Sequence, residues 1–314
     1  MRITAQLIDA IKGYHVWSER YDRDLKDIFA IQDDITLEIL RAMDVELVRG
    51  EQMRHWHKRG TKNLEAYLKL TGIRGEISMG TKEGINQLRQ RSEEAIAIDP
   101  EFARAYAYLG WSHFMDARFG WSKSPAESIK LGFEYGQKAI ELDDALDYSH
   151  IVMGSIYLGK RQFKKAVAES ERAVELNPNG ADAYVLLAGA VGCSGRWEES
   201  LEYAKRSMRL DPLPSLINFW ILGRAHFMTG QYDKAIETFK KALQINPNYM
   251  LAHVFLAACY SSMDRQAEAA TAAKEVLRIN PRFSIESYAK RLPFKNKADI
   301  ELNVAALRKA GLPE

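Results

Sequence analysis

The chain has 314 residues, 46% of them hydrophobic, and 44 Lys and Arg against 42 Asp and Glu leave a net charge of +2. That apolar content can bury a large core, on the scale of about two ordinary domains. The near-balanced charge gives no global electrostatic case for nucleic acid or an anionic membrane, and no uninterrupted apolar run approaches the ~18 residues that a membrane span needs.

Residues 2–9 are mostly β-prone and partly alternating. After a turn at Ile11-Lys12-Gly13 a second such run follows from Tyr14 to Tyr21, predicting a β-hairpin. An isolated hairpin is marginal in water, and apolar Ile3, Leu7, Val16 and Trp17 call for more sheet, so a segment upstream is expected. The start, Met1–Ala10, shows no charged leader, apolar stretch and cleavage site of a secretory signal.

From Leu25 to about Val48 an amphipathic helix is predicted, with Leu25, Ile28, Ile35, Ile39, Leu40 and Met43 as its apolar stripe. It is expected to pack on the hairpin and the first repeat, a partner-binding helix being the alternative. Residues 49–62 form a basic, aromatic-interleaved link that reads as a solvated linker or a phosphate patch. Its His55 and His57 are two apart, so they do not share a helical face, and no Cys or carboxylate cluster completes a metal set.

Residues 63–283 carry about six helical hairpins. The first, ending in Ala95–Pro100, is degenerate, as terminal repeats often are. The second, Ala103–Leu146, is about ten residues longer than its neighbours, and the excess reads as a turn insertion around Phe119–Ser128 that carries Trp121 to a binding edge or over the hairpin tip. The last four end in AVELNP, SMRLDP, ALQINP and VLRINP, whose prolines, Pro178, Pro212, Pro247 and Pro281, come at intervals of 34, 35 and 34 residues. A fixed period of this length marks a stacked repeat. Within each unit an apolar-periodic segment, a polar turn often bearing Gly, and a second periodic segment closed by Pro specify helix, turn, helix. Residues 284–314 contain two closing helices, Ser284–Arg291 and Lys297–Ala310, read as a solvated cap. Cys193 and Cys259 fall in the first helices of non-adjacent units, so they are expected to be free and buried.

These landmarks resemble the tetratricopeptide repeat. Leu222-Gly223, His226, Ala235, Phe239, Ala242 and Pro247 keep its spacing in one unit; Met153-Gly154, Tyr157, Ala166, Ala173 and Pro178 keep it in another, and Leu256-Ala257, Tyr260, Ala269 and Pro281 in the last. The resemblance implies an all-α solenoid of helix-turn-helix hairpins, here preceded by a small α/β remnant. The phrases RITAQLIDAIKGYHVWSERYDRDLKDIFAIQDDI and SYAKRLPFKNKADIELNVAALRKAGLPE resemble the flanks of the repeats in bacterial class III adenylate cyclases, the first being the end of a TolB-like domain also found in some winged-helix transcriptional regulators. That resemblance implies a division into 1–50 (partial TolB-like segment), 51–62 (linker), 63–283 (array) and 284–314 (cap), with Met1 as a late or truncated start. The chain is then cytoplasmic, or periplasmic if a membrane helix precedes Met1.

No catalytic set is legible. There is no Walker-type loop, GxGxxG, HExxH or CxxC pair, and from residue 62 the hairpins leave no room for a cyclase catalytic sheet. No enzymatic activity, no cofactor and no metal are expected; the expected partner is a protein or peptide. Carrying over the tetratricopeptide geometry places Arg104, Ala107, Trp111, Phe114, Tyr148, Ile151, Ser155, Val185, Gly189, Trp220, Arg224, Phe227 and Val254 on the concave side. That wall is aromatic with a few arginines. It lacks the Lys and Asn with which co-chaperone repeats grip an acidic C terminus, so a carboxylate clamp is disfavoured. Two functions follow. One is a non-catalytic scaffold that lays a peptide or helix in the groove, with Trp111, Tyr148 and Trp220 as anchors and Arg224 or Arg104 fixing an acidic group. The other is the regulatory part of a class III cyclase or transcriptional regulator whose output domain is absent.

Overall fold

The computed structural model describes residues 2–8, 15–24, 30–32, 34–35, 61–73, 81–211 and 213–314. Most of the predicted helix Leu25–Val48 and of the basic link, with His55 and His57, lies outside them. The chain divides into two compact units, residues 1–64 and 65–314.

In the first unit, β1 (Arg2–Ile8) and β2 (His15–Asp22) pair antiparallel, with Arg2 opposite Asp22 and Ala5 opposite Glu19. The open end is closed by Arg2 Nε and Asp22 Oδ1 at 2.7 Å, and Arg20 reaches the same carboxylate. All three are well exposed, so these pairs contribute little to stability.

The second unit is an array of helix pairs. In chain order these are α1 (Leu64–Lys69) with α2 (Lys82–Ile98), α3 (Ala103–Phe119) with α4 (Pro125–Leu142), and α5 (Asp147–Gly159) with α6 (Phe163–Leu176). They continue as α7 (Ala181–Cys193) with α8 (Trp197–Leu210), α9 (Leu216–Met228) with α10 (Tyr232–Ile245), and α11 (Met250–Ser262) with α12 (Gln266–Ile279). The first helices α3, α5, α7, α9 and α11 touch one another in succession and form the inner layer. From α4 to α10 each second helix packs on its own partner and on the first helix of the next pair, while α2 packs on α3 and α12 on α11, forming the outer layer.

The repeated Asp/Asn-Pro phrase has a local reason. At Asp99, Asp211, Asn246 and Asn280 the side-chain oxygen accepts from the backbone N–H two residues on, at 3.0–3.1 Å, folding the chain back just past the helix end. The turns inside the pairs are as regular. Arg161, Gly195, Gly230 and Asp264 stand at the same intervals as the prolines, and all four adopt the left-handed conformation, φ between 57° and 99°. Two of these positions are not glycine, at a cost of about 1 kcal/mol or more each.

Small residues set the helix crossings. A Cβ on Gly223 would come within 2.7 Å of the Phe239 ring on α10, and Ala188 and Ala257 are fully buried at the matching places. The extra residues of the second pair lie mostly in its helices and not in a loop. α3 has 17 residues and α4 has 18, against 13 and 14 in the later pairs, and Gly120, φ 71°, ends α3 as Pro125 opens α4. Each helix has gained one turn. Trp121 stacks on Phe119, ring centroids 4.8 Å apart, and covers the tip.

Residues 284–314, read from sequence as a cap, turn back along the inner layer. They form α13 (Ile285–Arg291), an extended stretch Leu292–Asn296, and α14 (Lys297–Lys309). Helix α14 packs on α11, where Ser261 Oγ donates to the Ala306 carbonyl at 2.6 Å and Lys309 Nζ meets Asp264 at 2.6 Å. Cys193 and Cys259 are both free and buried.

Candidate functional site

The inner layer has two differently finished halves. Over α3 and α5 the wall carries an aromatic group in which Tyr108 and Tyr148 are half-buried and Trp111 and Phe114 buried. Tyr108 meets Tyr148 edge-on at 4.8 Å, Trp111 lies 6.4 Å from Tyr148 and 5.8 Å from Phe114, and Arg104 stands within electrostatic reach of Tyr148. Burial, with the neighbouring Tyr108 and Asp182, pushes the Tyr148 hydroxyl well above its ordinary pKa, so it stays a neutral donor.

Over α7, α9 and α11 the wall is filled by the chain's own C-terminal segment. Phe294 is 1% exposed and sits edge-on to Trp197, ring centroids 5.2 Å apart. The backbone N–H of Lys295 donates to the Cys193 carbonyl at 2.9 Å, and Trp197 Nε1 donates to Asp299 at 2.9 Å. Arg161 Nη2 donates to the carbonyls of Lys290 and Leu292 at 2.8 and 3.0 Å. Gly195 is pressed so closely by Asn296 that a Cβ there would fall 2.3 Å from its Nδ2. These are the contacts of an extended peptide held through its backbone with one aromatic anchor.

Of the residues nominated from sequence, Arg104 and Tyr148 are half-buried. Trp111, Phe114, Ile151, Val185, Trp220, Arg224 and Phe227 are buried, Trp111 at 8% exposure, Trp220 at 7% and Arg224 at 2%. Trp111, Phe114 and Tyr148 are brought together; Trp220 and Arg224 form a second group, the guanidinium carbon 4.4 Å from the Trp220 ring centre and also over Trp197 and Phe294. Phe227 instead packs between Tyr232 and Phe255, and Ile151 joins Ala183 and Leu186 in a small cluster. Two participants were not nominated. Arg118, in the added last turn of α3, places its guanidinium 4.8 Å from the same Trp220 ring, and Phe294 supplies the aromatic plug. Among the described residues no group of three or more His, Cys, Asp and Glu could hold a metal ion, and no helix is long and apolar enough to cross a membrane.

The tetratricopeptide-repeat family pattern matches residues 148–179 and 221–249, which are the α5–α6 and α9–α10 pairs. These hairpins are tetratricopeptide repeats. The chain shares 34% identity over 166 residues with "Putative adenylate cyclase 3" of Rhizobium meliloti (strain 1021), a match that covers 53% of this chain and 28% of that protein. It is also 27% identical over 175 residues to the protein CTR9 homolog of Arabidopsis thaliana, covering 55% of this chain and 15% of the relative. The chain therefore spans well under a third of either relative. Among solved structures, that of the APC/C hetero-tetramer Cut9-Hcn1 superposes with a TM-score of 0.55 at 17% identity, covering 90% of this chain and 54% of the other, a likeness of fold alone.

Proposed function

We propose that the chain is a non-catalytic protein-interaction module whose tetratricopeptide inner wall takes an extended peptide or a helix. The observation that carries this is the seating of Leu292–Asn296: the array already holds one peptide by its backbone at the turn edge, through Arg161 and the Cys193 carbonyl at the end of α7, with Phe294 as the anchor against Arg224 of the inner layer. The half-buried stretch at Arg104, Tyr108 and Tyr148 offers aromatic edges and a cation of the kind that anchor a second. A peptide-display selection against the full chain tests it. Selected ligands should lose at least tenfold in affinity to the Arg104→Ala, Tyr148→Ala double variant while its helical circular dichroism is unchanged; equal affinity would overturn the reading.

A second reading is favoured by the similarity to "Putative adenylate cyclase 3" across 53% of the chain. Here the array is the regulatory part of a class III nucleotide cyclase, or of a winged-helix regulator, acting in the cytoplasm. The genomic sequence in frame upstream of Met1 discriminates: a cyclase or DNA-binding domain there supports it, and a nearby in-frame stop with a good ribosome site counts against it. The isolated chain should show no nucleotide turnover.

A further inference from the structure

Arg118 and Arg224 are placed where two like charges are costly. Both guanidinium carbons lie over the Trp220 ring, at 4.8 and 4.4 Å from its centre, so they are no more than about 9 Å apart. Arg224 is 2% exposed, and its Nε and Nη2 have no hydrogen-bond partner. Arg118 is exposed as a residue, and the protein around its guanidinium, with the charge of Arg224, lowers its pKa. Neither arginine has a carboxylate within ion-pair range among the described residues. Cation–π contacts return about 0.5–2 kcal/mol each, but they leave the in-plane N–H groups of a buried guanidinium unsatisfied.

The neighbouring polar atoms point to what is complementary. Trp220 Nε1 and Tyr288 Oη are also buried without a hydrogen-bond partner, and Tyr288 and Tyr249 both lie within electrostatic reach of Arg224. Burial pushes both tyrosines well above their ordinary pKa, so they remain protonated, and Cys193 beside the two arginines is likewise pushed up and neutral. The neighbourhood thus holds indole N–H, guanidinium N–H and phenol O–H donors and two positive charges, and its one nearby carboxylate, Asp299, is engaged by Trp197 Nε1 rather than by either arginine. Tyr288 comes from α13 while Trp220 and Arg224 come from α9, so whatever accepts from them joins the C-terminal segment to the array.

We propose that Arg118, Trp220, Arg224 and Tyr288 form a binding site for a single oxyanion, phosphate or carboxylate, closed on one side by the C-terminal segment. Arg118 receives the anion at the mouth, Arg224 satisfies its free N–H groups on it at the floor, and the mutual repulsion of the two cations is removed. The proposal goes beyond peptide binding at Arg104 and Tyr148 and can fail without touching it, because that binding is read by other residues.

The test uses the full chain and two probes at constant ionic strength: sodium phosphate against sodium chloride, and the peptide acetyl-Glu-Asp-Glu-amide against its Gln-Asn-Gln counterpart. Arginine Nε–Hε resonances and the thermal midpoint are followed. A saturable shift of the Arg224 resonance with a rise in midpoint is expected for at least one oxyanion probe. Preference for phosphate identifies a free phosphate as the ligand, and preference for the acidic peptide identifies a polypeptide carboxylate; either supports the site. Arg118→Gln, exposed and therefore compatible with folding where an Arg224 replacement is not assured, should weaken affinity at least tenfold, and Arg282→Gln, exposed on another part of the array, should leave it unchanged. No saturable response to either probe beyond chloride and the neutral peptide, or equal affinity in Arg118→Gln, overturns the proposal.

Discussion

Arg161 donates to the carbonyl of Leu292 at 3.0 Å, tying the turn of the third helix pair to a residue 131 positions further along the chain. Arg161 also occupies a left-handed backbone position that glycine fills in two of the other turns. Local strain and long-range binding therefore meet at one residue.

Arg161→Gly separates the two. Glycine relieves about 1 kcal/mol of backbone strain, and the loss of two charge-assisted bonds to the Lys290 and Leu292 carbonyls offsets it at about 1.5–3 kcal/mol each at most. The expected result is a thermal midpoint that moves by only a few degrees while amide exchange across residues 290–299 accelerates. Unchanged exchange there would show that the arginine does not hold the segment.

Phe294→Ala removes the plug between Trp197 and Arg224. A side chain at 1% exposure truncated to alanine costs about 3–5 kcal/mol where it is part of a core. Because this core joins the C-terminal segment to the wall, limited proteolysis should cut between residues 290 and 300 before it touches the helix pairs. Simultaneous loss of the whole array would contradict that order.

Gly223→Ala and Gly230→Ala contrast crowding with backbone strain. The first drives a methyl to 2.7 Å from the Phe239 ring and should cost about 1–3 kcal/mol through repacking of α9 on α10. The second meets nothing within 4 Å but requires φ +73°, costing about 1 kcal/mol. Urea denaturation of both variants measures the difference; a Gly230 variant as damaged as the Gly223 one would refute the packing account.

Two histidines give the pH dependence opposite signs. Burial, with the charge of Arg89, lowers the His113 pKa to about 4. Its neutral form is favoured on folding, so stability is full above the unfolded value of about 6.5 and falls as pH drops towards 4, by at most about 3 kcal/mol before screening at its half-buried ring. His226, lowered by burial, adds to the same slope. At His150 burial opposes the charge, but the Glu169 carboxylate at 2.7 Å and the Asp144 carbonyl outweigh it and raise the pKa. That stabilisation is full below about 6.5 and is lost as pH rises through the folded value. His113→Gln should flatten the acid limb and His150→Gln the neutral one in chemical denaturation from pH 4 to 8.

The repeats were legible because their signals are local and periodic: an Asx-turn residue before most of the prolines, a left-handed turn position at the same interval, a small residue at each crossing. The finish of the wall was not. Trp220 and Arg224 read as groove residues from their register in α9, but both are buried, and Phe294, which lies against Arg224, comes from a segment that no periodicity connects to α9. The second pair's extra residues were misread as a loop because Gly120 and Ser124-Pro125 sit inside them; taken as helix stop and helix start, the same residues give two longer helices and bring Arg118 to Trp220.

Arrays of this kind ordinarily tolerate gaining or losing a whole unit, since each hairpin needs only its neighbours. Here the stretch from α13 to α14 works as a gauge cut to one length: its fastenings at Arg161, Gly195 and Asp264 are matched to fixed steps along the turns. Excising α9 and α10 in frame would leave every remaining hairpin intact and yet bring those fastenings out of alignment, so the number of hairpins is itself constrained by this one strip of chain.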